Sequence, residues 1–215
     1  VCSSDLRAYE AVGCALSEMA EVIDLIYERF SRGGRIIYAG AGTSGRMGVV
    51  DAVEMWPTYG MGKDKFDFII AGGIKALTEA QEGAEDLKEE AKTFLKEKGL
   101  SKEDILIGIS SSGRTPFVIG AVEYGNNIGC LTVAIVNNSN TQLEKIAKKT
   151  IVLNTGSEVI QGSTRMKAGT ALKMTLNIIS TSIAIKSGRT YGNMMFHMKS
   201  YYNEKLKERA INMIM

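Results

Sequence analysis

The sequence predicts an α/β fold: a three-layer α-β-α sandwich around a parallel, flavodoxin-like doubly wound sheet. Five short runs are apolar almost throughout, as strands buried on both faces are. They are RIIYAG (35–40), FDFIIAG (66–72), DILIGIS (104–110), CLTVAIV (130–136) and KTIVLN (149–154). Segments with helical spacing of apolar residues separate these runs. Strand, helix and strand in repetition indicate parallel strands joined by crossovers.

Helices are predicted wherever apolar residues recur at helical spacing. Between the strands they are Leu77–Lys98, Pro116–Asn126 and Thr141–Lys148. One flanking helix is predicted over 6–30, where apolar residues recur at helical spacing. Gly33–Gly34 follows it as a C-cap signal that marks its end. The second flank covers 163–213 and includes a Met-rich stretch, whose methionines at helical spacing indicate core packing. We expect a single domain over 1–215.

Composition excludes several classes of protein. A chain of 215 residues with a net charge of +2 has no broad basic surface for nucleic acid or anionic lipid. The three cysteines form neither a disulfide framework nor a metal-binding spacing, which indicates a reducing, cytoplasmic setting. No apolar run approaches the length of a membrane span, and the first residues lack the pattern of a signal peptide.

Two loops of similar composition follow predicted strands and precede predicted helices. GAGTSGR (40–46) and SSSGRTP (110–116) both combine glycine with Ser or Thr. Ligands of open α/β sheets bind at this position, where backbone N–H groups and the helix dipole favour an anion. Glycine permits the close approach of a phosphate and the hydroxyls donate to it. Two ordinary capped turns are the alternative interpretation, which the presence of both loops in one domain makes less favourable.

Two well-known nucleotide motifs do not fit the first loop. A dinucleotide site requires an acidic residue about 20 positions on, at the end of the second strand, and that strand ends in AGG (71–73). A Walker motif requires a Lys that is absent here. A third segment, GSEVIQGSTRMKAGT (156–170), places Glu158 among small residues, where a carboxylate could bind sugar hydroxyls. In the same segment Thr164 is equally well explained as a helix N-cap.

Longer strings around these loops carry a family resemblance. GAGTSGRMGVVDAVEMWPTYG, GISSSGRTPFVIGAVEYG, GSEVIQGSTRMKAGTALKMTLNIIST and YGN…NEKL are collinear over about positions 10–210. They resemble the N-acetylmuramic acid 6-phosphate etherases of the sugar isomerase (SIS) superfamily. The resemblance implies a SIS-type five-stranded parallel sheet and a homodimer. The family's N-terminal extension and C-terminal helical domain lie outside the sequence, which we interpret as a trimmed chain or a shorter relative.

The resemblance also implies a reaction. These enzymes are lyases that cleave the D-lactyl ether of N-acetylmuramic acid 6-phosphate, giving N-acetylglucosamine 6-phosphate and D-lactate. They serve peptidoglycan recycling and amino sugar catabolism in the bacterial cytoplasm, and they need no metal or organic cofactor. The implied partner is therefore a small-molecule sugar phosphate, with no nucleic acid and no membrane.

The family's two functional glutamates match Glu54 and Glu85. The carbon 2 proton of the open-chain sugar lies α to an aldehyde, so a carboxylate can remove it, while the ether oxygen leaves only when protonated. We assign Glu85 as the base and Glu54 as the acid. An isolated glutamate is ionised at neutral pH, so a proton donor needs burial or a like charge nearby. Val53, Met55 and Trp56 are expected to enclose Glu54.

The binding residues are assigned by the same matching. For the phosphate they are Ser110, Ser112 and Thr115, with the backbone of Gly113 and Arg114; for the sugar they are Thr43, Ser44, Glu158 and Ser163. Hydroxyl and amide groups at a helix start suffice to hold a dianion.

Departures from the family pattern keep two other interpretations open. Val53 stands where the family has a hydroxyl and Trp56 where it has a proline, which changes the surroundings of the proposed acid. His197, the single histidine, lies near the end of the resemblance and is interpreted as packed or solvated. The alternatives are a sugar-phosphate-sensing SIS module without catalysis and an aldose–ketose isomerase. Neither would release lactate.

Overall fold

A five-stranded sheet forms the centre of the protein. The computed structural model describes residues 2–195, 197, 207, 208 and 211. All neighbouring strands are parallel, in the order β2-β1-β3-β4-β5. The strands are β1 Ile36–Gly40, β2 Phe66–Ile70, β3 Ile105–Ile109, β4 Leu131–Val136 and β5 Lys149–Val152. Each lies within a run that the sequence predicts, and the order is the flavodoxin-like one. The predicted fold class is confirmed.

Seven helices cover the two faces of the sheet in the described part of the chain. They are α1 Cys2–Cys14, α2 Leu16–Ser31, α3 Gly42–Tyr59, α4 Lys88–Glu97, α5 Pro116–Ile128, α6 Gln142–Ile146 and α7 Lys167–Lys186. None of these helices is long and apolar enough to cross a membrane.

Alternate strand residues face different helical layers, which gives the three-layer arrangement. Ile36 and Tyr38 pack in one apolar cluster with α1, α2, α3 and α7. Ile37 and Ala39 pack in the other with α4, α5 and α6. Because β1 and β3 are buried at every position, their sequences are apolar throughout rather than alternating.

The N-terminal flank differs in detail from its prediction. The single helix expected over 6–30 is two helices, separated by a tight turn in which the Ala15 N–H bonds to the carbonyl of Val12 at 3.1 Å. Gly13 lies within this turn, and glycine weakens a helix interior. The predicted end of the flank is confirmed, since Gly33 has a left-handed φ of 106° and its N–H bonds to the Phe30 carbonyl.

Two other helix predictions are wrong in part. Leu77–Lys98 is helical only over Lys88–Glu97. Two short 3-10 turns, Ile74–Leu77 and Ala84–Asp86, come before that helix, and Gly83 between them takes a left-handed φ of 75°. In the second flank, 190–195 forms a hairpin of β6 Thr190–Tyr191 and β7 Met194–Met195, turned by Gly192 and Asn193. Most of the remaining Met-rich stretch lies outside the described residues.

Candidate functional site

The loop after β3 forms a compact cup of hydroxyl and amide groups. The Ser110 hydroxyl lies 2.8 Å from that of Thr115 and 3.4 Å from that of Ser112. The Gly113 N–H donates to the Ser110 hydroxyl at 3.1 Å, and the Arg114 N–H donates to the Ser112 hydroxyl at 3.2 Å. All five residues predicted to bind phosphate are therefore brought together. They form one connected cluster of hydrogen bonds.

The cup lies at the start of a long helix. Pro116 is the first residue of α5, and Thr115 precedes it in extended conformation without a side-chain cap. The free N–H groups and the positive end of the helix dipole therefore face the cup. Gly113 has a left-handed φ of 62°, and a β-carbon there would overlap the side chain of Thr141. This position requires glycine on both counts.

A polar cavity of about 390 Å³ adjoins the cup. The segment between β4 and α6 supplies most of its lining, and Ser112 and Arg114 supply the other side. Asn138 holds this segment against the cup by donating to the Ser111 carbonyl at 2.9 Å. Asn140 has a left-handed φ of 59°. These asparagines were not among the predicted site residues, although NNSN directly after the fourth strand is a signal that could have found them.

The first loop is built around close backbone contact. A β-carbon on Gly45 would lie 2.9 Å from the carbonyl of Gly40, so α3 starts directly against the end of β1. Thr43 and Ser44 are half-buried in the first turn of α3. Arg46 donates from Nε to the Ala76 carbonyl at 2.8 Å, which connects this turn to the segment after β2. Arg46 thus has a structural partner.

The third segment joins the first loop through α7. A β-carbon on Gly169 would meet the Thr43 methyl at 3.5 Å, so the start of α7 lies beside the start of α3. Glu158 caps α7: its two carboxylate oxygens accept from the N–H groups of Lys167 at 3.1 Å and Ala168 at 2.9 Å. The capping group is Glu158 rather than Thr164. Both oxygens of Glu158 are thus engaged before any sugar is present.

Ser163 and a buried lysine complete this segment. Ser163 is half-buried, and its N–H bonds to the Ile160 carbonyl at 3.0 Å. The Lys167 side chain is 2% exposed, and its ammonium donates to the Ser157 carbonyl at 2.6 Å. The segment from 156 to 166 contains no helix or strand, and these bonds fold it on itself and fix it to the start of α7.

The two glutamates lie at different heights in the fold. Glu85 is exposed on the 3-10 turn Ala84–Asp86, which follows β2 on the carboxyl side of the sheet. Glu54 is the thirteenth residue of α3, about 18 Å along the helix axis from Gly42 and toward the opposite edge. Glu54 is exposed, and Val53 beside it is 53% exposed. The prediction that Val53, Met55 and Trp56 enclose Glu54 is wrong for a single chain, in which only Met55 of the three is buried.

A buried carboxylate that was not predicted from sequence connects α3 to its surroundings. Asp51 accepts from the Tyr38 hydroxyl at 2.8 Å, from the Asn177 amide at 3.0 Å and from the Ser180 hydroxyl at 3.0 Å. Burial raises the pKa of Asp51, while the three hydrogen bonds oppose this shift. Burial also raises the pKa of Tyr38 well above its usual range. The network links β1, α3 and α7, the elements that carry the first and third loops.

A second cavity, of about 500 Å³, lies at the opposite end of α3. It is mainly apolar and is lined by Ala52, Val53, Trp56, Gly62, Lys63, Asp64, Phe66 and Phe68. The segment 62–64 precedes β2, so this cavity lies at the amino edge of the sheet, away from the cup.

Comparison with known proteins gives the family. Residues 18–126 match the glucokinase regulatory protein N-terminal SIS domain. An N-acetylmuramic acid 6-phosphate etherase of Clostridium botulinum (strain Langeland) is 50% identical over 211 residues, covering 98% of this chain and 70% of that protein. One of Mycoplasma mycoides is 45% identical over 212 residues, covering 99% and 70%. The chain belongs to the N-acetylmuramic acid 6-phosphate etherase family.

Solved structures share the fold of this etherase-family chain at low sequence identity. A phosphoheptose isomerase from Francisella tularensis has a TM-score of 0.64 at 18% identity, covering 85% of this chain and 93% of that one. The Vibrio vulnificus NanR protein complexed with ManNAc-6P has a TM-score of 0.59 at 16% identity, covering 99% and 68%. These likenesses concern the fold alone.

Within the etherase-family chain, the predicted site residues therefore fall into three groups. The hydroxyl cup after β3 is assembled, and Thr43 lies beside the start of α7, which Glu158 caps. Glu85 lies on the same side of the sheet as the cup. Glu54 is set apart from all of them by its position along α3.

Proposed function

We propose that this protein cleaves the D-lactyl ether of N-acetylmuramic acid 6-phosphate; its relatives are named N-acetylmuramic acid 6-phosphate etherases. The observation that carries the proposal is the hydroxyl cup between Ser110 and Thr115 at the start of α5. A cup of this kind, in a chain half identical to the etherases, suits the phosphate of an amino sugar. The chain is further proposed to act in the cytoplasm as a homodimer, in peptidoglycan recycling.

The phosphate is proposed to bind without a lysine in the cup. The hydroxyls of Ser110, Ser112 and Thr115 bond to one another, and each can rotate its O–H toward an anion. The N–H groups of Gly113 and Arg114 donate to the Ser110 and Ser112 hydroxyl oxygens, which holds these two hydroxyls in the cup. Arg114 is exposed at the rim of the polar cavity, where its charge attracts the dianion.

The sugar is proposed to extend from the cup across the first loop. Thr43 and Ser44 offer hydroxyls in the first turn of α3, and Ser163 offers another from the third segment. Glu158 retains lone pairs beyond those that cap α7, so sugar hydroxyls can donate to a carboxylate already fixed in position. Because the Glu158 side chain is already held in place, less conformational entropy is lost when the sugar binds.

The proposed chemistry is an elimination followed by a hydration. The Glu85 carboxylate takes the proton from carbon 2 of the open-chain sugar, a C2–C3 double bond forms and the C3–O ether bond breaks. The Glu54 carboxylic acid gives its proton to the departing oxygen, which leaves as D-lactate. Water then adds its hydroxyl to carbon 3 while its proton restores Glu54, and Glu85 returns its proton to carbon 2. The sum is substrate plus water giving N-acetylglucosamine 6-phosphate plus D-lactate.

An assay of D-lactate released from N-acetylmuramic acid 6-phosphate tests the proposal. Wild type is expected to release one D-lactate for each N-acetylglucosamine 6-phosphate formed. Glu54→Gln and Glu85→Gln are each expected to lower kcat by at least ~100-fold, the usual contribution of a general acid or base. Glu82→Gln is the matched control, because Glu82 is an exposed glutamate of the same loop as Glu85. It is expected to retain full activity.

Isotope exchange separates the two roles. In deuterated water, Glu54→Gln is expected to keep exchanging the carbon 2 proton, since its base is intact, and Glu85→Gln is expected to lose this exchange. If Glu85→Gln keeps the isotope exchange and Glu54→Gln loses it, Glu54 is the base and Glu85 the acid. If wild type interconverts an aldose and a ketose phosphate without lactate, the isomerase interpretation replaces this one. If the sugar phosphate raises Tm but no product forms, the sensing interpretation does.

A further inference from the structure

The turn that carries Glu85 is in direct contact with the helix that begins at the cup. Glu85 lies on the 3-10 turn Ala84–Asp86, and α5 packs against this turn. Ala84 is buried in the same apolar cluster as Val118, in the first turn of α5. Lys88, the first residue of α4, follows Glu85 by three positions. The distance from Glu85 to the cup therefore depends on how closely α4 approaches α5.

Gly120 sets the closeness of this approach. It is a buried residue of α5, about 6 Å along the helix axis from Pro116. A β-carbon on Gly120 would overlap the carbonyl oxygen of Lys88 and would lie 3.1 Å from the carbonyl carbon. The backbones of α4 and α5 are thus in direct contact at this point, and the contact requires glycine.

An ion pair further along α5 holds the same two helices together. The Lys88 ammonium lies 2.9 Å from one carboxylate oxygen of Glu123 and 2.8 Å from the other. Glu123 and Gly120 have i, i+3 spacing, so they lie on the same side of α5. Both side chains of the pair are partly exposed, so the pair adds little stability, and its effect is to keep the start of α4 in register with α5.

Of the two helices, α5 is the more firmly placed. It packs directly on β3, where a β-carbon on Gly108 would lie 3.0 Å from the side chain of Val118. The Glu85 turn is bounded on its other side by Gly72, where an added β-carbon would meet side-chain atoms of Gln81 rather than backbone. Side chains yield more easily than backbone. A group added between the helices therefore displaces α4 and the Glu85 turn rather than the cup.

We infer that Gly120 is a positioning residue for the proton transfer at carbon 2. It lets α4 approach α5 so closely that Glu85 reaches carbon 2 of a sugar whose phosphate lies in the cup. This inference rests on the proposed function. Proton transfer requires an approach of about 2.6–3.2 Å between heavy atoms, so a small shift of the Glu85 turn is enough to slow it. Gly120 touches neither the sugar nor the proton and acts through the position of Glu85.

Replacing Gly120 by alanine tests the inference. Separating the two backbones to ordinary contact takes a shift of roughly 1 Å, and a misplacement of that size can slow a reaction about 100-fold. Gly120→Ala is therefore expected to lower kcat for lactate release by about 10- to 100-fold. Its Kd for N-acetylglucosamine 6-phosphate, measured by titration calorimetry, is expected within about threefold of wild type, because the cup stays in place.

Gly125→Ala is the matched control. Gly125 is another buried glycine of α5, and a β-carbon there would lie 2.8 Å from Leu106 and 2.9 Å from Cys130, neither of which belongs to α4. This variant is also expected to lose stability, but to keep kcat within about twofold of wild type when folded. If Gly120→Ala keeps the kcat of Gly125→Ala, the inference is overturned. It is also overturned if Gly120→Ala loses kcat and sugar-phosphate affinity by the same factor.

A charge exchange between α4 and α5 tests the same contact in a variant that keeps Gly120. Glu123→Lys places a like charge against Lys88 and is expected to lower kcat about fivefold with the Kd for N-acetylglucosamine 6-phosphate unchanged. Adding Lys88→Glu restores the attraction with the signs exchanged, and is expected to return kcat to within about twofold of wild type. An unchanged kcat in Glu123→Lys, or a loss that Lys88→Glu does not rescue, overturns the inference.

Isotope exchange at carbon 2 shows which step is slowed. In the Glu54→Gln background, Gly120→Ala is expected to slow the exchange at least about tenfold, whereas Gly125→Ala leaves it unchanged. An exchange rate that Gly120→Ala does not alter contradicts the inference while the proposed function stands. A wild type that neither releases lactate nor exchanges the carbon 2 proton refutes the proposed function and this inference together.

Discussion

Replacing Asp51 by alanine is expected to lower stability by removing the acceptor at the centre of a buried hydrogen-bond network. The substitution leaves three donors without their acceptor, and two of them, Tyr38 at 1% and Ser180 at 2%, are almost completely buried. Each buried unsatisfied donor costs about 1–3 kcal/mol. Removing a desolvated charge offsets part of this loss, so the net expectation is a loss of about 2–4 kcal/mol.

Thermal unfolding followed by circular dichroism measures this loss. For a domain of this size 1 kcal/mol shifts Tm by about 2–4 °C, so Asp51→Ala is expected to melt roughly 5–15 °C below wild type. Asp51→Asn keeps the volume and the acceptor for Asn177 and Ser180, and is expected within ~1 kcal/mol of wild type at neutral pH. An Asp51→Ala protein within ~0.5 kcal/mol of wild type would refute the argument that the network is stabilising.

The pH dependence of the Asp51→Asn comparison has a defined sign. Burial raises the pKa of Asp51 above its ordinary value of 3.8, so the folded protein retains this proton where the unfolded chain has lost it. Stability from this group is present at low pH and declines as pH rises through the raised pKa. The variant lacks the group, so its Tm relative to wild type should be higher at pH 7 than at pH 4. An unchanged difference would contradict the shift.

Three further predictions concern other parts of the fold. Gly113→Ala is expected to lower the free energy of unfolding by at least ~1 kcal/mol and to weaken sugar-phosphate binding, because Gly113 has a left-handed φ and the new methyl would overlap Thr141. Scanning calorimetry measures the loss of stability, and titration calorimetry measures the binding of the sugar phosphate. Asp104→Asn is expected to cost ~1–3 kcal/mol in urea unfolding, because Asp104 accepts from Arg35 and is buried. Burial alone would raise the pKa of Asp104, but the hydrogen bonds from Arg35 and Ser101 outweigh burial, so the pKa is lowered below its ordinary value. The stabilisation that Asp104 provides is therefore lost as pH falls through this lowered pKa. Burial raises the pKa of the Cys130 thiol to about 11, so the reactive thiolate is scarce at pH 8. After treatment with a thiol-alkylating reagent at pH 8, peptide mass spectrometry should find Cys130 unmodified until the protein unfolds.

The sheet could be predicted from sequence because a strand buried on both faces is apolar at nearly every position. Ile105–Ile109 illustrates this, with all five residues buried. The segment 77–87 could not, because its apolar spacing is helical while the backbone of Gly83 determines its course. Local conformation prevailed over periodicity there.

The grouping of the hydroxyl cup could also be predicted, since its residues are adjacent in sequence and one turn brings them together. The Asp51 network could not, because Asn177 and Ser180 are more than 120 residues away and no local pattern connects them to α3. The position of Glu54 relative to Glu85 depends on how far α3 extends, which a motif match does not consider. The single-domain boundary at 1–215 and the individual site roles stay predictions.

The contact of Gly40 with Gly45 has a consequence for how the site accommodates its ligand. The backbones of β1 and α3 are in direct contact at these two glycines, so the first loop between them has no room to change its conformation when a ligand binds. The third segment is held at Ser157 and Glu158 by bonds to the start of α7, and it presents Val159 and Ile160 to water at 50% and 65% exposure. A ligand at this end of the sheet therefore has to match a shape that is set before it arrives, and preset shape lowers the ordering cost of binding.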